Sequence, residues 1–64
     1  MQDTEARISI IIPTFQEQEY IADILSQLIK TKPRPEIIVV DGGSQDKTVE
    51  VARRFTNAVY NAGR

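Results

Sequence analysis

Sixty-four residues make one small domain or a piece of a larger one, and so short a chain buries only about 60% of its unfolded surface. With 41% hydrophobic residues, 27% charged residues and a net charge of −1, the composition is globular and gives no basis for binding nucleic acid or an anionic membrane. The absence of cysteine and histidine excludes disulfides, thiolate chemistry and imidazole bases or metal ligands.

Met1 to Arg7 are polar with mixed charge, unlike a secretion signal, and no stretch approaches the ~18 apolar residues of a membrane span. Residues 1–7 are expected to be a flexible lead-in. The expected location is the cytoplasm or, within a longer protein, the cytoplasmic face of a membrane. Ile8-Ser9-Ile10-Ile11-Ile12 is a β-branched run ended by Pro13, which predicts a buried strand. Ile21, Ile24, Leu25, Leu28 and Ile29 then recur at the spacing of one apolar helix face. Thr14 and Glu17 have capping-box spacing, with Gln16 or Glu17 as alternative first helical residues, and Pro33 and Pro35 stop the helix by about Thr31.

Glu36 to Asp41 is a second strand with four consecutive apolar residues, so both its faces need cover. Gly42 and Gly43 make a turn. Ser44 is placed to cap a second helix, with Asp46 in its first turn and Thr48, Val51, Ala52 and Phe55 along one face. Ala58-Val59-Tyr60 reads as a third strand. Lys30, Lys32 and Arg34, like Arg53 and Arg54, read as solvated basic faces.

The pattern β-α-β-α-β with short loops predicts an α/β fold, a Rossmann-like parallel sheet with right-handed crossovers. The apolar second strand favours the order 3-2-1 over 2-1-3. That order puts both helices on one sheet face and leaves the other face apolar and exposed, as in a part of a larger body.

Ligands of open parallel sheets collect beyond the carboxyl ends of the strands, where Pro13 to Glu17 and Asp41 to Asp46 both lie. Pro13 offers a rigid surface without an N–H, and Phe15 a packing surface or a stacking platform. Glu17 offers an acceptor for a ribose hydroxyl or base N–H, or else a helix-capping group. Asp41 is held at the rim by its strand, Gly42 and Gly43 permit close backbone approach, and the N–H groups at Ser44 suit an anion. An ordinary strand-turn-helix connection accounts for Asp41 to Ser44 equally well. No phosphate-loop or dinucleotide glycine pattern is present.

Ile8 to Glu17 together with Ile38-Val39-Val40-Asp41-Gly42-Gly43-Ser44-Gln45-Asp46-Lys47-Thr48 resembles the start of family 2 glycosyltransferases. The resemblance spans nearly the whole chain. It implies the GT-A fold, whose early strands hold the nucleotide of a sugar-nucleotide donor, and makes residues 1–64 the N-terminal part of such a catalytic domain. By that resemblance Pro13, Thr14 and Glu17 contact base and ribose, Asp41 is the first acid of a Val-Asp-Asp-Gly-Ser pattern, and Ser44 and Asp46 cap a helix. Asn61-Ala62-Gly63-Arg64 resembles the start of a loop near the donor diphosphate. Phe15, Gly42, Gly43 and Arg64 complete the expected nucleotide-sugar-binding set.

The sequence departs from the family at Gln16, usually Asn, and at Gly42, often a second Asp that contacts uracil. The resemblance further implies a divalent metal, manganese or magnesium, on an Asp-x-Asp motif, and a catalytic base later still. Neither motif occurs here, so no metal ligand and no catalytic residue is assigned. The fragment is expected to be inactive without the rest of its domain, and its substrates are a nucleotide-sugar donor and an acceptor hydroxyl. The alternative is a receiver-like switch with Asp41 as phosphate acceptor, which would need the order 2-1-3 and an acidic pair where Pro13-Thr14 stands.

Overall fold

The computed structural model describes residues 8–63. The elements run β1 (Ser9–Thr14), α1 (Gln18–Leu28), β2 (Glu36–Asp41), α2 (Thr48–Ala52) and β3 (Val59–Asn61). The three strands form one parallel sheet in the order β1-β2-β3. This is the α/β arrangement and the 3-2-1 order expected from the apolar run in β2.

Register sets which side chains meet. Ile10, Ile12 and Thr14 stand opposite Ile37, Val39 and Asp41, and Val59 stands opposite Val39. These residues share one sheet face, because side chains alternate along a strand. Ile21 and Leu25 of α1 and Ala52 of α2 close over Ile37 and Val39 to form the core, with Ile12, Leu28, Ile29, Val51, Phe55 and Val59 packed around it. Both helices therefore cover the same face. Each fully buried Ile, Leu or Val contributes about 1.5–3 kcal/mol. With so few of them, satisfaction of the buried polar groups matters as much as the apolar core.

The opposite face carries Ile11, Pro13, Ile38, Val40 and Tyr60, of which Ile11 is 64% and Tyr60 60% exposed. Among the described residues no helix is long and apolar enough to cross a membrane.

Three expectations are corrected. Pro13 does not end β1, because the strand runs on to Thr14. The carbonyls of Ile8 and Thr14 accept from β2-side N–H groups, so the backbone at Pro13 faces away from β2, and an edge strand tolerates that missing donor. The capping box does not form, because the Thr14 hydroxyl donates to Asp41 instead, and α1 begins at Gln18 with no side-chain cap from Glu17. Ser44 does not cap α2, which begins at Thr48.

The two helix starts cap each other instead. The Glu17 N–H donates to Thr48 Oγ1 at 2.8 Å and the Gln18 N–H to Asp46 Oδ2 at 3.3 Å. In return the Lys47 N–H donates to Gln18 Oε1 at 3.1 Å, while Asp46 Oδ1 accepts from the Thr48 N–H at 2.9 Å and from the Thr48 hydroxyl. N–H groups at the start of each helix are thus met by side chains at the start of the other, and that of Thr48 by Asp46 just before it.

Candidate nucleotide-binding cleft

At the carboxyl ends of the strands lies an open cleft of about 810 Å³ lined by Phe15, Gln16, Gly42, Gly43, Gln45, Ala62 and Gly63. That volume lies within the range of small-molecule sites. Three loops meet there, each leaving the end of a different strand, as expected for a ligand site in an open parallel sheet.

Asp41 is the anchor beneath it. Its side chain has no exposed surface. Oδ1 accepts from the Thr14 and Ser44 hydroxyls, each at 2.7 Å, and Oδ2 from the N–H groups of Gly43 at 3.0 Å and Ser44 at 2.7 Å. Those bonds use the roughly four acceptor positions of a carboxylate. Burial alone would raise the Asp41 pKa, but the bonds from Ser44, Thr14 and Gly43 outweigh it and hold the carboxyl below its ordinary value.

Two consequences follow for chemistry. Asp41 is a poor base and a blocked nucleophile. The N–H at Ser44, where an anion was expected, already holds the chain's own carboxylate, as does that of Gly43, so this turn does not cradle a phosphate. Together with the position of β2 in the centre of the sheet, this leaves the receiver-like switch without a phosphate acceptor.

Asp46 is also kept acidic. The Thr48 hydroxyl leads, joined by the N–H groups of Thr48 and Gln18. Among the described residues no group of three or more acidic, histidine or cysteine side chains stands together as a metal site. Asp41 and Asp46 are occupied by chain donors, so they do not suit a divalent cation.

The expected site residues fall into distinct places. Phe15, Gly42 and Gly43 line the cleft. Thr14 and Asp41 lie buried under it. Pro13 is on the exposed outer face of β1, and Glu17 is half-buried at the start of α1 without lining the cleft. Arg64 lies outside the described residues, as does the lead-in of residues 1–7.

Sequence reasoning passed over Gln16, Gln45, Ala62 and Gly63 as individual lining residues. Gln16 is the most constrained, with a left-handed φ of 53° that non-glycine residues seldom adopt. It is held there because its N–H donates to the Ser44 hydroxyl at 2.7 Å and its Oε1 accepts from the Gln45 N–H at 3.2 Å. Asparagine tolerates this region far better. Gln16→Asn is therefore expected to stabilise the fold by about 0.5–1 kcal/mol, read as a higher urea midpoint, whereas Gln16→Val should lower it. An unchanged midpoint in Gln16→Asn would mean that position 16 carries no strain.

Comparison with known proteins bears on the same residues. The sequence model described as glycosyl transferase family 2 matches residues 9–63. The chain is 41% identical over 64 residues to glycosyltransferase AglE of Haloferax volcanii, covering 95% of this chain and 21% of that protein. It is 39% identical over 59 residues to 4,4'-diaponeurosporenoate glycosyltransferase of Staphylococcus haemolyticus, covering 92% of this chain and 16% of that protein. A third relative, the dolichyl N-acetyl-alpha-D-glucosaminyl phosphate 3-beta-D-2,3-diacetamido-2,3-dideoxy-beta-D-glucuronosyltransferase of Methanococcus voltae, is 45% identical over 51 residues, with 75% and 16% covered. The chain thus spans about a fifth or less of the length of these relatives. No solved structure matches significantly.

Proposed function

The chain belongs to glycosyl transferase family 2, and from that premise we propose that its strand-edge cleft holds the nucleoside end of a nucleotide-sugar donor. The observation that carries this reading is the cleft itself, floored by Gly42 and Gly43 and flanked by the exposed ring of Phe15. Phe15 offers a face for the base. Thr14 and Asp41 act from below, as positioning residues that fix the β2–α2 turn. Arg64 is assigned to the donor diphosphate on its charge and on its place directly after the cleft-lining Gly63.

The phosphates are assigned to the Gly63 side because the Gly43 and Ser44 N–H groups are filled. The segment is the N-terminal part of a catalytic domain, and the reaction is transfer of the sugar to an acceptor hydroxyl. In that whole enzyme, residues outside this chain supply the divalent metal site, for manganese or magnesium, and the base that takes the acceptor proton. A metal bound there offsets the charge of the departing nucleoside diphosphate.

Titration with uridine or guanosine diphosphate, followed by amide chemical shifts, tests the assignment. Shifts should gather at Phe15, Gln16, Gly42 to Gln45, Ala62 and Gly63, with millimolar affinity of about −4 kcal/mol. No sugar transfer should accompany binding to this chain alone. Shifts confined to Lys30, Lys32, Arg53 and Arg54 would instead signify nonspecific phosphate attraction and overturn the reading.

A further inference from the structure

The net charge of −1 conceals a separation of charge that the topology imposes. In a parallel β-α-β-α-β chain every loop leading from a helix into a strand lies at one end of the sheet, opposite the cleft. Lys30, Lys32 and Arg34 stand in the loop into β2, and Arg53 and Arg54 in the turn that leads from α2 towards β3. The two loops meet. Arg34 and Pro35 of the first line a hollow of about 290 Å³ together with Phe55, Thr56 and Asn57 of the second. Lys30, Lys32, Arg34, Arg53 and Arg54 are all exposed.

Opposing charge is sparse there. Among the described residues Glu36 is the acid at this end, and its carboxylate accepts from the Ser9 hydroxyl at 2.8 Å. Glu50 stands at helical spacing from Arg53 and Arg54 and offsets part of their charge. Lys30, Lys32 and Arg34 are therefore the least compensated. At the cleft end the balance reverses, with Glu17, Glu19 and Asp46 against Lys47 and Asp41 buried beneath.

The basic end also carries exposed aliphatic surface. Ile8 is 57% exposed, and its carbonyl accepts from the Glu36 N–H at 2.8 Å, which sets it beside the first residue of β2. Pro33 is exposed between Lys32 and Arg34. The aromatic residue of these loops, Phe55, is half-buried and packs against the core, so it offers no ring for stacking on a nucleic-acid base. Cations interleaved with aliphatic groups suit a lipid headgroup layer, which takes charge at its phosphates and apolar side chains just beneath them.

We infer that the end of the fold opposite the cleft docks on an anionic lipid bilayer, through Lys30, Lys32, Arg34, Arg53 and Arg54, with Ile8 inserted among the headgroups. The inference does not rest on the donor-site reading. Docked so, the chain turns its acidic cleft end away from the lipid phosphates and towards bulk water.

Cosedimentation of the chain with vesicles of phosphatidylcholine containing about 30% phosphatidylglycerol tests this. Binding should appear at low salt, fall steeply by about 0.5 M salt, and be absent with phosphatidylcholine alone. Each Lys or Arg at such a surface strengthens binding about fivefold. The triple variant Lys30→Gln, Lys32→Gln, Arg34→Gln should therefore bind at least about thirtyfold more weakly. Lys47→Gln, at the cleft end, should bind as the parent does. Ile8→Ser should lose about threefold on vesicles and nothing on a DNA duplex. These positions are exposed, and amide dispersion verifies that each variant is folded. No binding to the anionic vesicles, equal binding to both kinds of vesicle, or a triple variant that binds as the parent does would overturn the inference. So would a loss in Lys47→Gln as large as that in the triple variant. Tighter binding to the duplex than to the anionic vesicles, with Ile8→Ser neutral on both, would assign the basic end to nucleic acid and overturn it too. In each of these events nucleoside diphosphate should still shift the cleft amides, which keeps this inference separable from the donor site.

Discussion

Replacing Asp41 with alanine should remove a large part of the chain's stability. The substitution leaves the hydroxyls of Thr14 and Ser44 and the N–H groups of Gly43 and Ser44 without their acceptor. An unmet buried donor costs about 1–3 kcal/mol, so the loss is about 3–5 kcal/mol even if water reaches some of the four. A chain of this length has only about 3–10 kcal/mol of stability in all. Asp41→Asn keeps the shape but turns an amino group towards two donors, and should fall between parent and alanine, at about 2 kcal/mol. Urea melts followed by circular dichroism measure both. An alanine variant within about 0.5 kcal/mol of the parent would show that the carboxylate does not hold the turn.

The same bonds give the parent an acid limb with a definite sign. The folded pKa of Asp41 lies below its ordinary value of 3.8, so the folded state binds this proton less readily than the unfolded state. Its contribution is complete above the ordinary value and is lost as pH falls from there through the folded pKa. Asp46 acts in the same sense, though its exposure makes the effect smaller. Asp41→Asn should flatten the decline in urea midpoint below the ordinary carboxylate range, and an equally steep acid limb in that variant would assign the decline elsewhere.

The sheet was legible because its signals are local and strong. Pro35 and Gly42 bracket the apolar residues of β2, and the need to cover both faces of that run gave the strand order. The second helix was overextended because Ser44 and Asp46 look like cap and first turn. Thr48, Val49 and Val51 are β-branched and propagate a helix poorly, and the structure keeps only five helical residues. Some of the cleft's wiring had a local sign: an Asp accepting from the N–H groups two and three residues on is an Asx-type turn, and Asp-Gly-Gly-Ser suits one. The bonds that reach from one loop to the other had none. The Gln16 N–H to Ser44 and the Glu17 N–H to Thr48 join residues far apart in the chain, and the left-handed φ of Gln16 follows from that docking. Asparagine, usual in the family at position 16, was the one available sign of that backbone region.

Gly63→Ala should cost the cleft a wall while the rest of the fold survives. The new Cβ would lie 2.6 Å from the carbonyl carbon of Gly42 and from the nitrogen and Cα of Gly43. Main chain cannot step aside as a flexible side chain would, and the Gly43 N–H is tied to Asp41. The loop after β3 must lift instead. That strains the Ala62 N–H bond to the Asp41 carbonyl, 2.7 Å in the parent, and the Gly63 N–H bond to Asn61 Oδ1 at 2.9 Å. Neither belongs to the core of Ile21, Leu25, Ile37, Val39 and Ala52, so stability should fall by only about 1–3 kcal/mol, as for other overpacked sites. Binding should suffer more, because Ala62 and Gly63 line the cleft together with Phe15 and Gln16. Nucleoside diphosphate affinity should drop at least about tenfold, which is about 1.4 kcal/mol. Gly42→Ala is the control for stability: its Cβ has room, and its urea midpoint should stay within about 0.5 kcal/mol of the parent. Parent-like shifts and affinity in Gly63→Ala would show that the loop does not close the cleft, and would leave the nucleotide resting on the Phe15 and Gly42–Gly43 walls alone.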